Sequence, residues 1–199
     1  MNIIITGALG HIGSKLIQKI SQIKKLKQVY LIDNASTNNL NVLFNFDQKN
    51  IKFKFIHDDI INKKIFDSIN VKIDVVIHLA SITNAEQSFK IKKKLYKNNF
   101  GIFKNVVNFC KKKKAKLIHI SSTSIYGTQS EKVDESCNNL KPQSPYADIK
   151  LLEEKMLKKL NKKISYITFR FGTITGISKG MRFHTAVNKF CFNTVMKKE

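Results

Sequence analysis

At 199 residues the chain has room for one ordinary domain and a fragment of a second, and 42% apolar content supports a real core and excludes disorder. No apolar run approaches the roughly 18 residues of a membrane span. The N-terminal MNIIITGALG lacks a signal peptide's basic stretch, and Cys110, Cys137 and Cys191, without C-x-x-C spacing, fit reduced thiols in a cytoplasm. The net charge of +22, from 36 Lys+Arg against 14 Asp+Glu, is nearly all lysine, with arginine only at Arg170 and Arg182. Phosphate and base recognition favours arginine with stacked aromatics, so a solvated lysine surface is expected and no specific nucleic-acid site.

Short apolar runs alternate with longer amphipathic ones. Strands are expected at NIIIT (2–6), QVYLID (28–33), IKFKFI (51–56), KIDVVIHLA (72–80), KLIHISS (116–122) and ISYITFR (164–170). Most are near-continuous in Ile, Val and Leu, as strands buried on both faces should be. Helical patterns lie between them, notably HIGSKLIQKISQI (11–23), NNFGIFKNVVNFCKK (98–112) and YADIKLLEEKMLKKL (146–160). This alternation predicts an α/β domain, a parallel sheet with helices on both faces, over residues 1–170.

The first strand runs directly into TGALGHIG, whose Gly7, Gly10 and Gly13 open the first helix. Gly7 permits a sharp turn, Gly10 lets backbone approach a pyrophosphate at the helix N-terminus, and Gly13 permits close helix–strand packing. Asp33 ends the second strand 20 residues after Gly13, where a carboxylate can accept hydrogen bonds from a ribose and repel a 2′-phosphate, favouring NAD over NADP. Asp59 is placed to meet an adenine ring; Asp58 is its rival, and either could instead cap the next helix.

In SPYADIK, Pro145 suits a first helical turn, and Tyr146 and Lys150 then stand one above the other on one face. A phenol beside an ammonium makes a proton donor and acceptor for near-neutral pH. His78 and His119 lie inside apolar strand patterns and read as core or supporting residues. No cluster has metal-ligand spacing, so no metal is expected.

The order T-G-x-x-G-x-x-G, Asp33, HLA, SSTSIYG and Tyr146-x-x-x-Lys150 resembles the extended short-chain dehydrogenase/reductase family, in its branch of nucleotide-sugar epimerases and dehydratases. The resemblance covers nearly the whole chain and implies a Rossmann-type doubly wound sheet. It implies NAD held by Gly7, Gly10, His11, Ile12, Gly13, Asp33, Asn34, Asp59, Ile60, Leu79, Ala80, Ser81 and Asn98, with Asn99 an open alternative to Asn98. Tyr146 would be the acid–base group, Lys150 would favour its phenolate and bind the nicotinamide ribose, and Ser122 would hold the reacting oxygen. Thr123 and Arg182 would join Ser122 and Tyr146 at the substrate, with His184 beside Arg182; as a helix start, these last two could equally be surface.

Departures narrow the expectation. The family's dehydratases carry an acid just after the catalytic Ser/Thr, whereas Thr123 and Ser124 stand here, so epimerisation of a UDP- or dTDP-hexose, or ketone reduction, is expected over water elimination. RFGTITG carries Thr173 where the common form has Asn. Residues 171–199 read as the beginning of an incomplete substrate-binding domain, which implies a truncated or split enzyme that binds NAD yet turns over poorly alone, or one completed by a partner chain. The family also implies a homodimer through a four-helix interface.

Overall fold

The computed structural model describes residues 1–44, 51–83, 88–183 and 185–197. Six strands form one parallel sheet: β1 (Asn2–Thr6), β2 (Gln28–Asp33), β3 (Lys52–His57), β4 (Val75–His78), β5 (Lys116–Ser122) and β6 (Tyr166–Phe171), in the order β3-β2-β1-β4-β5-β6. Sequence order reverses between β1 and β4, opening the crevice at which ligands of doubly wound sheets bind. Central β1 has apolar side chains on both faces, with Ile3, Ile4 and Ile5 all buried. The two edge strands are less covered, and Ile167 and Phe169 of β6 are exposed.

Each face carries its own core. On one, α1 (His11–Ile20) packs Ile17 and Ile20 against Ile3, Ile5, Val29 and Leu31. On the other, α3 (Gly101–Lys113) and α4 (Pro145–Lys159) cover Ile4, Ile32, Val76 and Leu117 with Phe103, Val106, Val107 and Leu157. A short α2 (Lys92–Leu95) and a π-helical turn (Tyr96–Phe100) lead into α3. α4 starts where its sequence asks: Ser144 Oγ accepts from Ala147 N at 3.2 Å, and Pro145 occupies the first turn, where its absent N–H leaves nothing unpaired.

After β6 the chain turns back over the start of α1 before α5 (Ala186–Lys197). His11 Nε2 lies 2.9 Å from the carbonyl of Gly176, and Gly180 N donates to Ser14 Oγ at 3.0 Å. Expected and observed ends differ most at KIDVVIHLA. Paired residues stop at His78: Leu79 N makes the last ladder bond, to the Thr6 carbonyl at 3.0 Å, and Ala80 N turns instead to Thr6 Oγ1 at 3.3 Å. No described helix is long and apolar enough to cross a membrane.

Candidate active site

A cavity of about 500 Å³ opens at the carboxyl ends of β1, β2, β4 and β5, and every residue expected at the dinucleotide or catalytic site lines it. At one end lies the glycine turn. Gly7 has φ +66°, and a Cβ there would sit 2.6 Å from Ala80 N, so neither conformation nor space admits a side chain. Gly10 differs: a Cβ would meet only the Gly7 carbonyl oxygen at 3.3 Å and the Arg182 guanidinium at 3.9 Å. Protein packing barely requires glycine at this place, and the space it leaves faces the cavity beside the N-terminus of α1, where unpaired N–H groups favour an anion.

Asp33 closes that end. Its carboxylate accepts from Leu9 N at 3.0 Å and Ala35 N at 2.8 Å, which fixes it at the rim. Asn34 donates to Asp59 Oδ2 at 2.9 Å, so the two expected adenosine-side residues are joined. Asp58 also lines the cavity, and neither aspartate caps the following 3-10 turn (Lys63–Ser68), whose cap is Asn62. Leu79, Ala80 and Ser81 form the floor. Asn98 faces the cavity, whereas buried Asn99 grips Ile82 through both backbone groups, each at 2.9 Å. The π-helical turn places the pair in this way.

The catalytic candidates meet at the other end. Lys150 Nζ lies 5.8 Å from the centroid of the Tyr146 ring. Ser122, at the end of β5, accepts from Ser124 N at 3.2 Å and from Ser124 Oγ at 2.8 Å. Thr123 reaches the carbonyl of Phe171 at 3.4 Å. Arg182 enters from the segment after β6, bonded to Thr83 Oγ1 and beside Gly10, nearer the glycine turn than the surface position a helix start would give. Burial lowers its pKa from the ordinary arginine value, opposed by Tyr146 and Asp33. His184 lies outside the described residues.

Two supporting groups were not singled out by sequence reasoning. Lys150 is buried and its Nζ donates to Glu153 Oε2 at 2.8 Å, while His119 Nε2 lies 2.9 Å from the same oxygen. Burial opposes the Lys150 charge, yet Glu153 and Tyr146 prevail and raise its pKa. Burial likewise opposes the Glu153 carboxylate, and Lys150 and His119 hold it below the usual range. One turn on, Arg170 grips Glu154 with two bonds, at 3.1 and 2.8 Å, and donates to Tyr126 Oη at 2.9 Å, bracing β6 against α4. KLLEE places both glutamates within about one turn of Lys150, and both are buried, but it is Glu153 that contacts the lysine. Among the described residues no group of three His, Cys, Asp or Glu could hold a metal ion.

A family model described as the NAD dependent epimerase/dehydratase family matches residues 3–198. The chain is 29% identical over 194 residues to a dTDP-D-glucose 4,6-dehydratase of Dictyostelium discoideum, covering 87% of this chain and 44% of that relative. It is 30% identical over 162 residues to a UDP-glucose 4-epimerase of the same organism, covering 79% and 46%. The chain thus spans about half the length of these curated relatives. Among solved structures it superposes, at TM-score 0.87 and 30% identity, on a Tyr-to-Phe variant of UDP-glucuronic acid 4-epimerase from Bacillus cereus in complex with UDP-4-deoxy-4-fluoro-glucuronic acid and NAD. That match covers 99% of this chain and 64% of the other.

Proposed function

We propose that this chain, which belongs to the NAD dependent epimerase/dehydratase family, binds NAD in its cavity and carries the acid–base chemistry of a nucleotide-sugar epimerase acting on a UDP- or dTDP-hexose. The glycine turn fits the dinucleotide's diphosphate: Gly10 leaves open the space a side chain would fill, and α1 points its N-terminus there. Asp33 suits the adenosine ribose, and Asn34 with Asp59 the adenine side. When bound, NAD supplies a reversible two-electron oxidation at the sugar carbon.

The protein's part is proton transfer and positioning. Tyr146, as phenolate, takes the proton of the sugar hydroxyl and later returns it. The buried Lys150 ammonium stabilises that phenolate and keeps N–H groups free of Glu153 to bind the ribose of the cofactor. Ser122 holds the reacting oxygen. The observation that carries epimerisation over dehydration is the placing of acids: the carboxylates among the described lining residues, Asp33, Asp58 and Asp59, all stand at the adenosine end. Thr123 and Ser124 beside Ser122 offer no carboxylic acid for expelling water.

In this reading Arg182, which enters the cavity from the segment after β6, meets the substrate, and Val187, Phe190 and Phe192 of α5 are exposed. Exposed Tyr96 and Leu152, on the π-helical turn and α4, suit a homodimer packed through these helices. Calorimetry with NAD and NMR of UDP-glucose/UDP-galactose exchange test the proposal. NAD should bind the native chain and Tyr146→Phe alike, while slow exchange, without net change in reduced-nicotinamide absorbance, should be lost in the variant. Failure to bind NAD, or exchange that survives in Tyr146→Phe, would refute it.

A further inference from the structure

Parallel register sets Thr6, His78, His119 and Thr168 side by side on β1, β4, β5 and β6, a polar row across the sheet. α4 crosses this row, and Glu153 reaches into it with a side chain only 1% exposed. Its Oε2 accepts from Lys150 at 2.8 Å and from His119 Nε2 at 2.9 Å. A carboxylate only accepts, so His119 carries its proton on Nε2, and its Nδ1 accepts from Thr168 Oγ1 at 3.2 Å. Glu154 is committed to Arg170. Glu153 is therefore the carboxylate in contact with Lys150 among the described residues.

Counting charge shows what this contact does. Facing Lys150 are Tyr146, Glu153 and Glu154 from α4, His119 from β5 and His78 from β4, while Arg182 approaches Tyr146 from the segment after β6. Burial, then the nearby Lys150 cation, pushes His78 down to about 3, and burial lowers His119, so both rings are neutral. Lys150 and Glu153 then cancel, which leaves Arg182 as the one uncompensated cation of this set facing a Tyr146 phenolate. With the charge on Glu153 removed, the phenolate would face the Lys150 ammonium uncompensated as well, and would form at lower pH.

We propose that Glu153, oriented by His119, is a positioning residue whose charge sets the pH at which the Tyr146–Lys150 pair releases its first proton. The proposal rests on Tyr146 being the acid–base group, but phenol ionisation can be read without turnover, so a chain inactive on every sugar still answers it. The assay is tyrosinate ultraviolet absorbance against pH on the full chain, with the Tyr146→Phe titration subtracted to remove the other four of its five tyrosines. Glu153→Gln keeps the shape and loses the charge, and should move the pair's first ionisation down by about one unit or more. His119→Gln exchanges one neutral donor for another and should leave it in place. An unmoved Glu153→Gln titration, or equal movement in both variants, would overturn the proposal. If Glu153→Gln does not fold, Glu153→Asp, which keeps the charge but draws it one methylene back from Lys150, takes its place and should move the first ionisation down by a smaller amount. An unmoved titration in that variant would overturn the proposal.

Discussion

Gly10 and Gly13 differ by one turn of helix, and the structure assigns them opposite consequences when each receives a methyl group. At Gly13 the added Cβ would lie 2.4 Å from the Gly7 carbonyl oxygen and 2.6 Å from that of Ala8. Both are backbone atoms of one tight turn, itself anchored by Gly7 N donating to the Ile32 carbonyl at 2.9 Å, so neither can give way cheaply. Gly13→Ala should cost roughly 3 kcal/mol by overpacking, which in a chain of this size lowers Tm by about 6–12 °C. At Gly10, φ is −73° and ψ 178°, a conformation alanine adopts freely, and its contact at 3.3 Å asks for only a small shift. The entropy removed from the unfolded chain, about 0.4–1 kcal/mol, offsets alanine's poorer capping, so Tm should stay within about 2 °C.

NAD binding should reverse the order of harm. In the proposed NAD site the Gly10 methyl would occupy the approach to the diphosphate, and losing a backbone N–H bond to a charged group is worth about 1.5–3 kcal/mol, roughly a 10- to 150-fold weaker Kd. Calorimetric titration with NAD, beside thermal melts of both variants, makes the measurement. Gly10→Ala binding NAD as the native chain does would remove the dinucleotide from this turn. A native Tm in Gly13→Ala would refute the packing argument.

Two further outcomes follow from buried charge. Arg170→Ala strips Glu154 of both its bonds within a largely buried pair and should cost roughly 3–5 kcal/mol in urea unfolding, whereas Arg170→Met/Glu154→Leu should recover most of it. His78 is neutral in the folded chain down to about 3, against 6.5 for the free side chain. Between those values the unfolded chain binds the proton and the folded one does not, so stability falls as pH drops below 6.5. The slope is up to about 1.4 kcal/mol per pH unit from this group, and His78→Gln should flatten the urea midpoint between pH 6.5 and 5. An equal slope in that variant would refute the assignment.

Much of the sheet was legible because burial on both faces leaves so little choice of residue. NIIIT, QVYLID and KLIHISS became strands with the expected bounds, the first two because their side chains meet a core on each side, the third with alternate residues buried. Elsewhere the ends moved for tertiary reasons. KIDVVIHLA reads as one run, but the ladder ends with the Leu79 amide on the Thr6 carbonyl, and the Thr6 hydroxyl then takes the amide of Ala80 as the chain turns to floor the cavity. The helix expected from residue 98 is entered by a π-helical turn, because Asn99 must face Ile82 while Asn98 faces the cavity. Nothing in the pattern NNFG distinguishes those two amides.

The site was legible where chemistry restricts the residue type, and illegible where only a partner across the fold does. Glycines in a turn and a Tyr–Lys pair on one helical face declare themselves locally. Glu153 does not: in KLLEEK it is as near to Lys150 as any solvated i, i+3 ion pair on a helix, and Glu154 is equally plausible by spacing. What selects Glu153 is His119, a residue from a strand that sequence reading treats as core, brought beneath α4 by the register of β5 with β4 and β6. Most lysines in this chain can stay in water, where they need no partner. Lys150 cannot, because burial makes an unpaired ammonium costly, and the counter-ion it requires is fixed by sheet geometry rather than by any motif.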